Sequence, residues 1–320
     1  MRHRNSNVIV AASEGYTCRR DARGIEKPFR HRIENPHMIV SGLRTQTLAA
    51  ELAAATGETL AGVEYEQYPD GEGLVRVEGV DPGDRVVVVA STLSDQAHVE
   101  LLQLQDAVRE ASAREVTTVL PYMGYARQDR AFAAGEPVSA RAVARAISSG
   151  TDRLLTVNPH EAAVCEYFDV PAEPVDAAGR LADPLPDDLA DPLFLAPDDG
   201  AVDHAESVAG AYGRGDTDHF EKTRHSSTEV DIEPSDAAVA DRDVVLVDDI
   251  VATGSTMSES VAVLNDRGAR RVFVTCVHPL LIRNAYLKLA RAGVAAVYGT
   301  DTVERAVSEV SVAPVLADAL

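Results

Sequence analysis

One short segment near residue 250 constrains the fold of this chain more than any other. Residues 244–256 read Val-Val-Leu-Val-Asp-Asp-Ile-Val-Ala-Thr-Gly-Ser-Thr. Four consecutive apolar residues predict a strand that is buried on both faces, as in a parallel sheet covered by helices. A helical pattern begins at Ser255 and ends before Gly268, a residue typical of helix ends. The segment therefore predicts a strand, a loop and a helix of an α/β protein.

The predicted carboxyl end of that strand has the chemistry of a sugar-phosphate site. Ligands of open α/β folds bind at this edge, where Asp248 and Asp249 stand. The loop that follows consists of Thr253, Gly254, Ser255 and Thr256. Its N–H groups and hydroxyls at a helix N-terminus can hold a phosphate, and adjacent carboxylates suit the vicinal hydroxyls of a ribose. A capped helix start would explain the turn but not the two carboxylates. The segment predicts a ribose 5-phosphate site.

Strand and helix patterns alternate along most of the chain. The predicted strands are residues 38–42, 85–90, 116–121, 154–157, 193–196, 244–247 and 271–277, and the predicted helices are residues 97–112, 139–149 and 255–267. Valine-rich and isoleucine-rich runs separated by helices of this length favour mostly parallel sheets with helices on both faces. The acidic, proline-rich residues 176–191 look like a domain boundary. We therefore expect two α/β domains.

The pattern also predicts the domain limits. Residues 1–37 are arginine-rich and lack periodicity, so we expect an extension that is disordered or that results from an upstream start codon. We expect domains at residues 38–178 and 179–305, with a C-terminal tail at 306–320 that packs on the first domain. Residues 213–234 are polar and too long for an ordinary connection, which predicts either a disordered insert or a catalytic flap.

The composition is strongly acidic. The chain has 51 acidic and 30 basic residues and a net charge of -21, which disfavours binding to nucleic acid and to anionic membranes. It contains no run of 18 apolar residues and begins without an apolar signal segment, so we expect a cytosolic protein, in a cytosol rich enough in salt to screen this charge. Its three cysteines stand too far apart to support a disulfide framework or a zinc site.

A second motif narrows the class of protein. Residues 120–130 read Leu-Pro-Tyr-Met-Gly-Tyr-Ala-Arg-Gln-Asp-Arg. Together with the Asp-Asp and Thr-Gly-Ser-Thr segment, they resemble the ribose-phosphate pyrophosphokinases, which share the phosphoribosyltransferase fold. From about residue 38 onward the order of motifs is similar to that of the family, while residues 1–37 have no counterpart. The resemblance implies that Arg127 and Gln128 contact ATP, and a guanidinium can hold polyphosphate oxygens bidentately.

Two further segments are similar to motifs of this family. Residues 68–72, Tyr-Pro-Asp-Gly-Glu, would by themselves be an ordinary turn, but the resemblance implies that Asp70 and Glu72 reach the adenine of ATP across a subunit contact, and hence a homo-oligomer. Lys222 and Arg224 match a flap motif whose cations meet the transferred phosphates. Cationic side chains stabilise the charge that spreads over oxygens during phosphoryl transfer, and this chain has only three lysines.

The resemblance also implies a magnesium site. His160 stands where the family has a histidine that binds the magnesium carried by ATP, although Mg²⁺ prefers oxygen ligands. Asp198 matches the aspartate of a Pro-Asp-x-Gly motif at the metal and the ribose, and its ordinary alternative is an acidic helix cap. Three departures from the family pattern occur: Asn158 and Ala252 stand where acids are common, and Ser255 stands where a second glycine is common.

The family resemblance implies two phosphoribosyltransferase-like domains and one reaction. The pyrophosphoryl group of Mg-ATP would move to the 1-hydroxyl of ribose 5-phosphate, giving phosphoribosyl pyrophosphate and AMP. One alternative is a base phosphoribosyltransferase, which would need one such domain and no Lys-x-Arg flap. Another is a catalytically silent regulatory subunit, which loss of the flap cations would have favoured.

Overall fold

The structure is a computed structural model that describes residues 16–20, 26–30, 37–224, 230–234 and 238–320, with side chains for 37–220 and 238–320. The chain divides into two compact units, Met1–Pro36 and His37–Leu320. In the first unit, strands β1 (Tyr16–Arg20) and β2 (Glu26–Arg30) pair antiparallel. The other residues of this unit lie outside the described part, so the disorder expected for residues 1–37 stays a prediction.

The second unit begins with a six-stranded sheet. Its strands are β3 (His37–Ser41), β4 (Thr59–Leu60), β7 (Arg85–Val89), β8 (Glu115–Leu120), β9 (Arg153–Val157) and β10 (Ala172–Val175). Their spatial order is β10-β9-β8-β7-β3-β4, and all neighbours run parallel. Strands β5 (Gly62–Gln67) and β6 (Gly73–Glu78) form a separate antiparallel pair. The helices of this part are α1 (Gln46–Thr56), α2 (Asp95–Glu110) and α3 (Ser139–Ser148).

A seven-stranded sheet follows. Its strands are β11 (Leu193–Ala196), β12 (Asp216–Arg224), β13 (Val230–Pro234), β14 (Asp243–Ile250), β15 (Arg271–His278), β16 (Ala296–Thr300) and β17 (Ser308–Val310). Their order is β13-β12-β11-β14-β15-β16-β17, and only β12 and β13 pair antiparallel. The helices are α4 (Val202–Tyr212), α5 (Ser255–Asp266), α6 (Ala285–Ala292) and α7 (Ala313–Ala319). This mostly parallel α/β architecture confirms the predicted fold class.

Side-chain alternation along the strands divides the core into layers. In β7, Val86 and Val88 pack with α2 and α3, whereas Val87 and Val89 point to the opposite face. That opposite face belongs to one buried cluster that also contains Val245 and residues of α1, α4 and α7. A third cluster covers the other face of the second sheet with α5 and α6. The two sheets therefore share a core, and each valine or leucine buried there stabilises the fold by about 1.5–3 kcal/mol.

The predicted elements agree with the structure to within a few residues. The strand predicted at residues 193–196 is β11, and the helix predicted at residues 97–112 is α2. β12 and β13 occupy much of residues 213–234, which the sequence did not predict, and the expected disordered insert or catalytic flap stays a prediction. The C-terminal helix α7 packs against α1, while the domain boundaries predicted from the sequence stay predictions. In the ranges that the structure describes, no helix is both long enough and apolar enough to cross a membrane.

Candidate functional site

A cleft of about 440 Å³ lies where the loops after four parallel strands meet. Two of these strands, β8 and β9, belong to the first sheet, and β11 and β14 belong to the second. Nine of the predicted site residues line the cleft: Arg127, His160, Asp198, Asp248, Asp249, Thr253, Gly254, Ser255 and Thr256. Parallel strands bring their carboxyl ends to one edge of a sheet, so residues far apart in sequence converge here.

Two adjacent carboxylates form the floor of the cleft. Asp249 is buried and Asp248 is half-buried at the end of β14. Burial and the neighbouring charge of Asp249 raise the pKa of Asp248 well above its usual range. Burial also disfavours ionisation of Asp249, but its hydrogen bond and charge interaction with His160 outweigh that effect and lower its pKa. The pair is therefore chemically asymmetric, and hydroxyl donors or a cation would stabilise its fully ionised form.

His160 connects the two sheets across the cleft. Its Nδ1 lies 2.7 Å from Asp249 Oδ2. This hydrogen bond raises the pKa of His160, and it outweighs partial burial, which acts in the opposite direction. Since Nδ1 is engaged with the carboxylate, Nε2 is the ring nitrogen left for a ligand. Histidines that bind metals commonly have this arrangement, in which a carboxylate orients the ring through the other nitrogen.

Asn158, two residues before His160, has a structural role. Its Nδ2 donates to Asp176 Oδ1 at 2.7 Å, and its Oδ1 accepts from the N–H of Ala177 at 2.7 Å. The buried His278 donates from Nε2 to the carbonyl of Asn158 at 3.1 Å. The backbone of Asn158 has a φ of 33°, in the left-handed region that asparagine tolerates better than most residues. An aspartate here would place a second carboxylate beside Asp176, which explains the amide physically.

The loop after β14 forms a cradle for an anion. Gly254 has a φ of 68°, and an added Cβ would lie 3.0 Å from the carbonyl oxygen of Ala285. The first helical hydrogen bond of α5 runs from Ser258 N to Gly254 O at 2.9 Å. The three N–H groups before Ser258 therefore have no partner within the helix, and no side chain among the described residues caps this end. Such N–H groups and the helix dipole favour a bound phosphate.

Asp198 combines the two roles considered for it. Its Oδ1 accepts a hydrogen bond from the N–H of Gly200 at 3.2 Å, so it caps the turn that precedes α4. The same residue lines the cleft, as the carboxylate pair does. Ala252 also lines the cleft and contributes no polar side-chain atom there. The oxygen ligands that a metal could use are therefore concentrated on the loops after β11 and β14.

Three predicted site residues, all with described side chains, do not line the cleft. Asp70 and Glu72 are exposed in the turn between β5 and β6, where Asp70 Oδ1 accepts from the N–H of Glu72 at 3.1 Å. The amide of Gln128 bonds to Pro137 and Ser139 at the start of α3. For Lys222 and Arg224, which lie in β12, the side chains fall outside the described residues. Their predicted contacts with ATP stay predictions.

The structure adds residues that the sequence pattern did not single out. His204, on α4, and Glu161, which follows His160 in the sequence, both line the cleft. The ammonium of Lys288 on α6 donates to Ser255 Oγ at 2.7 Å. No motif identifies His204 or Glu161, but Lys288 could have been found, because lysine is so rare in this chain.

The parallel sheets, the carboxylate pair and the anion cradle define a phosphoribosyltransferase-like protein. Two family descriptions match the chain. Residues 37–150 match the N-terminal domain of ribose phosphate pyrophosphokinase, and residues 177–310 match the phosphoribosyl transferase domain.

Proteins with high sequence similarity to this chain are named ribose-phosphate pyrophosphokinase. A ribose-phosphate pyrophosphokinase of Halobacterium salinarum is 65% identical over 283 residues, which cover 88% of this chain and 100% of the relative. One from Methanosarcina mazei is 46% identical over 88% of this chain and 94% of the relative. The crystal structure of phosphoribosylpyrophosphate synthetase from Mycobacterium smegmatis superposes with a TM-score of 0.77 at 28% identity, covering 89% of this chain and 97% of that one. The chain belongs to the ribose-phosphate pyrophosphokinase family, and it is an enzyme that transfers diphosphate groups.

Proposed function

We propose that the cleft binds ribose 5-phosphate on the loops of the second sheet and Mg-ATP on the side of the first sheet. The 1-hydroxyl oxygen of the ribose attacks the β-phosphorus of ATP, the bond from that phosphorus to the α,β-bridging oxygen breaks, and AMP leaves. The hydroxyl proton is released, and the product is phosphoribosyl pyrophosphate. The observation that carries this assignment is the meeting of a carboxylate pair, an anion cradle and the His160 side chain in one cleft.

The second sheet supplies the sugar-phosphate site. Asp248 and Asp249 accept hydrogen bonds from the vicinal ribose hydroxyls, which relieves the repulsion between the two carboxylates. Residues 253–256 hold the 5-phosphate through the N–H groups at the start of α5. With the ribose held in this way, we expect its reacting 1-hydroxyl to face the nucleotide side of the cleft.

The residues of the first sheet and the flap bind the nucleotide. Arg127 lines the cleft and holds phosphate oxygens. Lys222 and Arg224 stabilise the charge that develops on the transferred group, and closure of their segment over the cleft excludes water. Asp70 and Glu72 contact the adenine of ATP bound to a neighbouring subunit. A contact from Gln128 requires its amide to leave Pro137 and Ser139.

Magnesium fits the donor chemistry of the cleft. Within the described residues, no group of three or more His, Cys, Asp or Glu side chains is arranged to hold a metal ion. A magnesium ion that arrives with ATP needs only one or two protein ligands, since phosphates and waters supply the others. Asp198 offers an oxygen and His160 offers Nε2. When bound, the ion would neutralise phosphate charge, while Asp249 holds the imidazole in position.

The test is ³¹P nuclear magnetic resonance of the purified chain in molar potassium chloride with magnesium, ATP and ribose 5-phosphate. We expect AMP and phosphoribosyl pyrophosphate in equal amounts. A base phosphoribosyltransferase would leave ATP intact and would instead consume phosphoribosyl pyrophosphate when a free base is added. A silent regulatory subunit would do neither, so both outcomes would refute the proposed reaction.

Two further predictions accompany this function. A homo-oligomer is expected, because Asp70 and Glu72 lie outside the cleft of their own chain. Sedimentation in molar salt tests it. The cytoplasmic location stays a prediction from the sequence, and cell fractionation tests it.

A further inference from the structure

Lys288 makes a contact that the proposed reaction does not yet use. It lies on α6, and its Nζ donates to Ser255 Oγ at 2.7 Å. Ser255 is the first residue of α5 and lines the cleft, whereas Lys288 lies on the outer side, in a groove between α5 and α6. A cationic side chain therefore contacts the anion-binding loop from the side that faces away from the cleft.

This contact decides which way the Ser255 hydroxyl can bond. A serine hydroxyl has one hydrogen to donate and two lone pairs that accept, whereas an ammonium group only donates. The bond from Lys288 therefore uses a lone pair of Ser255 Oγ. The hydroxyl of Thr253 lies 3.4 Å from the same oxygen, on the loop side. The hydrogen of Ser255 is left to donate to an acceptor in the cleft.

The charges around the cleft show why such an arrangement is useful. Asp198, Asp248 and Asp249 all line the cleft, and each repels a phosphate dianion. A positive charge behind the loop offsets this repulsion without competing for the ligand's oxygens. Glu259 lines the same outer groove as Lys288, yet within the described chain Lys288 forms no ion pair with any carboxylate. The one described hydrogen bond of its ammonium group is to Ser255 of the loop.

We propose that Lys288 is a positioning residue for the 5-phosphate of the sugar. It holds Ser255 as a hydrogen-bond donor toward the phosphate and adds positive charge to the loop. This inference rests on the proposed function, because it assigns residues 253–256 to the phosphate of ribose 5-phosphate.

The test compares steady-state kinetics and ribose 5-phosphate binding by calorimetry for Lys288→Met, Lys288→Arg and the wild type. For Lys288→Met we expect the KM and the Kd for ribose 5-phosphate to rise about tenfold or more, the loss expected for a hydrogen bond to a charged group. The kcat and the KM for ATP should stay within about twofold, since the transferred phosphates lie at the other end of the sugar. Lys288→Arg should restore most of the affinity, because arginine also donates to the hydroxyl.

Arg291→Met is the matched control. Arg291 is a cation three residues further along the same helix, and in the described structure no hydrogen bond joins it to the loop. We expect this variant to keep the wild-type KM for ribose 5-phosphate. If the KM for ribose 5-phosphate rose equally in Arg291→Met and Lys288→Met, the inference would be overturned. The loss of any positive charge on α6 would then explain both effects.

A double variant shows whether Lys288 acts through Ser255. When Ser255→Ala is already present, adding Lys288→Met should change the KM for ribose 5-phosphate less than it does in the wild type. Fully additive effects, or a folded Lys288→Met enzyme with wild-type affinity, would overturn the inference. If Lys288→Met does not fold, Lys288→Arg and Ser255→Ala still test it, since Ser255→Ala must weaken the same affinity. Failure of the proposed function is distinct, because the wild type would then release no AMP.

Discussion

The imidazole of His160 and the carboxylate of Asp249 lie 2.7 Å apart, although 89 positions separate them in the sequence. His160 follows β9 of the first sheet, and Asp249 lies near the end of β14 of the second. Their hydrogen bond joins the two sheets at the cleft and sets the ring orientation of His160. The relative position of the sheets is therefore coupled directly to the geometry of the proposed site.

Replacement of Asp249 by asparagine tests this coupling. Asp249→Asn keeps the shape of the side chain but removes the charge that His160 meets. We expect kcat/KM to fall about tenfold to a hundredfold, corresponding to roughly 1.5–3 kcal/mol for a hydrogen bond to a charged group. The measurement is AMP formation at saturating magnesium, with circular dichroism to verify folding. Wild-type kcat/KM would show that the contact is dispensable.

Asp198 and Asp199 offer a matched pair for the proposed metal site. Asp198 lines the cleft, while Asp199 is exposed and contacts His219 at 3.0 Å. Asp198→Asn can keep the helix cap, since asparagine caps as well as aspartate, so a defect reports the lost charge. We expect the magnesium concentration for half-maximal activity to rise about tenfold or more in Asp198→Asn. Asp199→Asn should stay near the wild type, and equal effects would argue against Asp198 as a ligand.

Gly254→Ala tests the anion cradle. The left-handed backbone and the nearby Ala285 carbonyl both oppose a Cβ at this position. We expect a loss of about 1–2 kcal/mol in the free energy of unfolding and a weaker affinity for ribose 5-phosphate. The control is Gly210→Ala, in the exposed part of α4 with nothing within 4 Å of an added Cβ. That change should stabilise the protein by about 0.5–1 kcal/mol, as determined by denaturant unfolding. The free energy of unfolding must therefore fall in Gly254→Ala and rise in Gly210→Ala.

His278 should make the stability depend on pH. It is fully buried beside Asn158, and burial lowers its pKa to about 4. The unfolded state, with a pKa of about 6.5, binds a proton that the native state does not accept. Neutral His278 therefore contributes fully to the free energy of unfolding above about pH 6.5. This contribution is lost as the pH falls toward 4, by roughly 3 kcal/mol in total.

The comparison with His278→Gln isolates this group from the other titrating residues. Glutamine can keep a hydrogen bond to the carbonyl of Asn158 but cannot be protonated. Between about pH 6.5 and 4, the free energy of unfolding should fall more steeply in the wild type than in the variant. Parallel curves from urea titrations over this range would contradict the assignment.

The sequence predicted the fold class, the central strands of both sheets and the centre of the candidate site. The apolar run ending in Asp248 and Asp249 indicated a buried parallel strand with ligands at its end, and the structure has β14 there. His160 and Asp198 also follow strands, so their convergence in one cleft follows from the parallel topology. Local patterns sufficed here because strand periodicity and sheet direction determine where a strand's last residues lie.

Other features depend on contacts between distant segments. The strand pair β12 and β13 was not predicted, because its sequence is polar and lacks the apolar alternation of a half-buried strand. Lys288 lies 33 positions from Ser255 and reaches it only because α6 packs on α5. The role of Asn158 likewise became clear only from its bonds to Asp176 and Ala177. Sequence patterns do not carry such pairings.

The most direct test of the central claim is the fate of the β-phosphate of ATP. ATP labelled with ³²P at the β-position is incubated with ribose 5-phosphate and magnesium in molar potassium chloride, for the wild type and for Lys222→Ala. We predict that the label moves quantitatively to phosphoribosyl pyrophosphate, that AMP is unlabelled, and that Lys222→Ala lowers the rate by at least about a hundredfold. Label that stays in ATP or ADP while the folded wild type binds ribose 5-phosphate would contradict the diphosphate transfer.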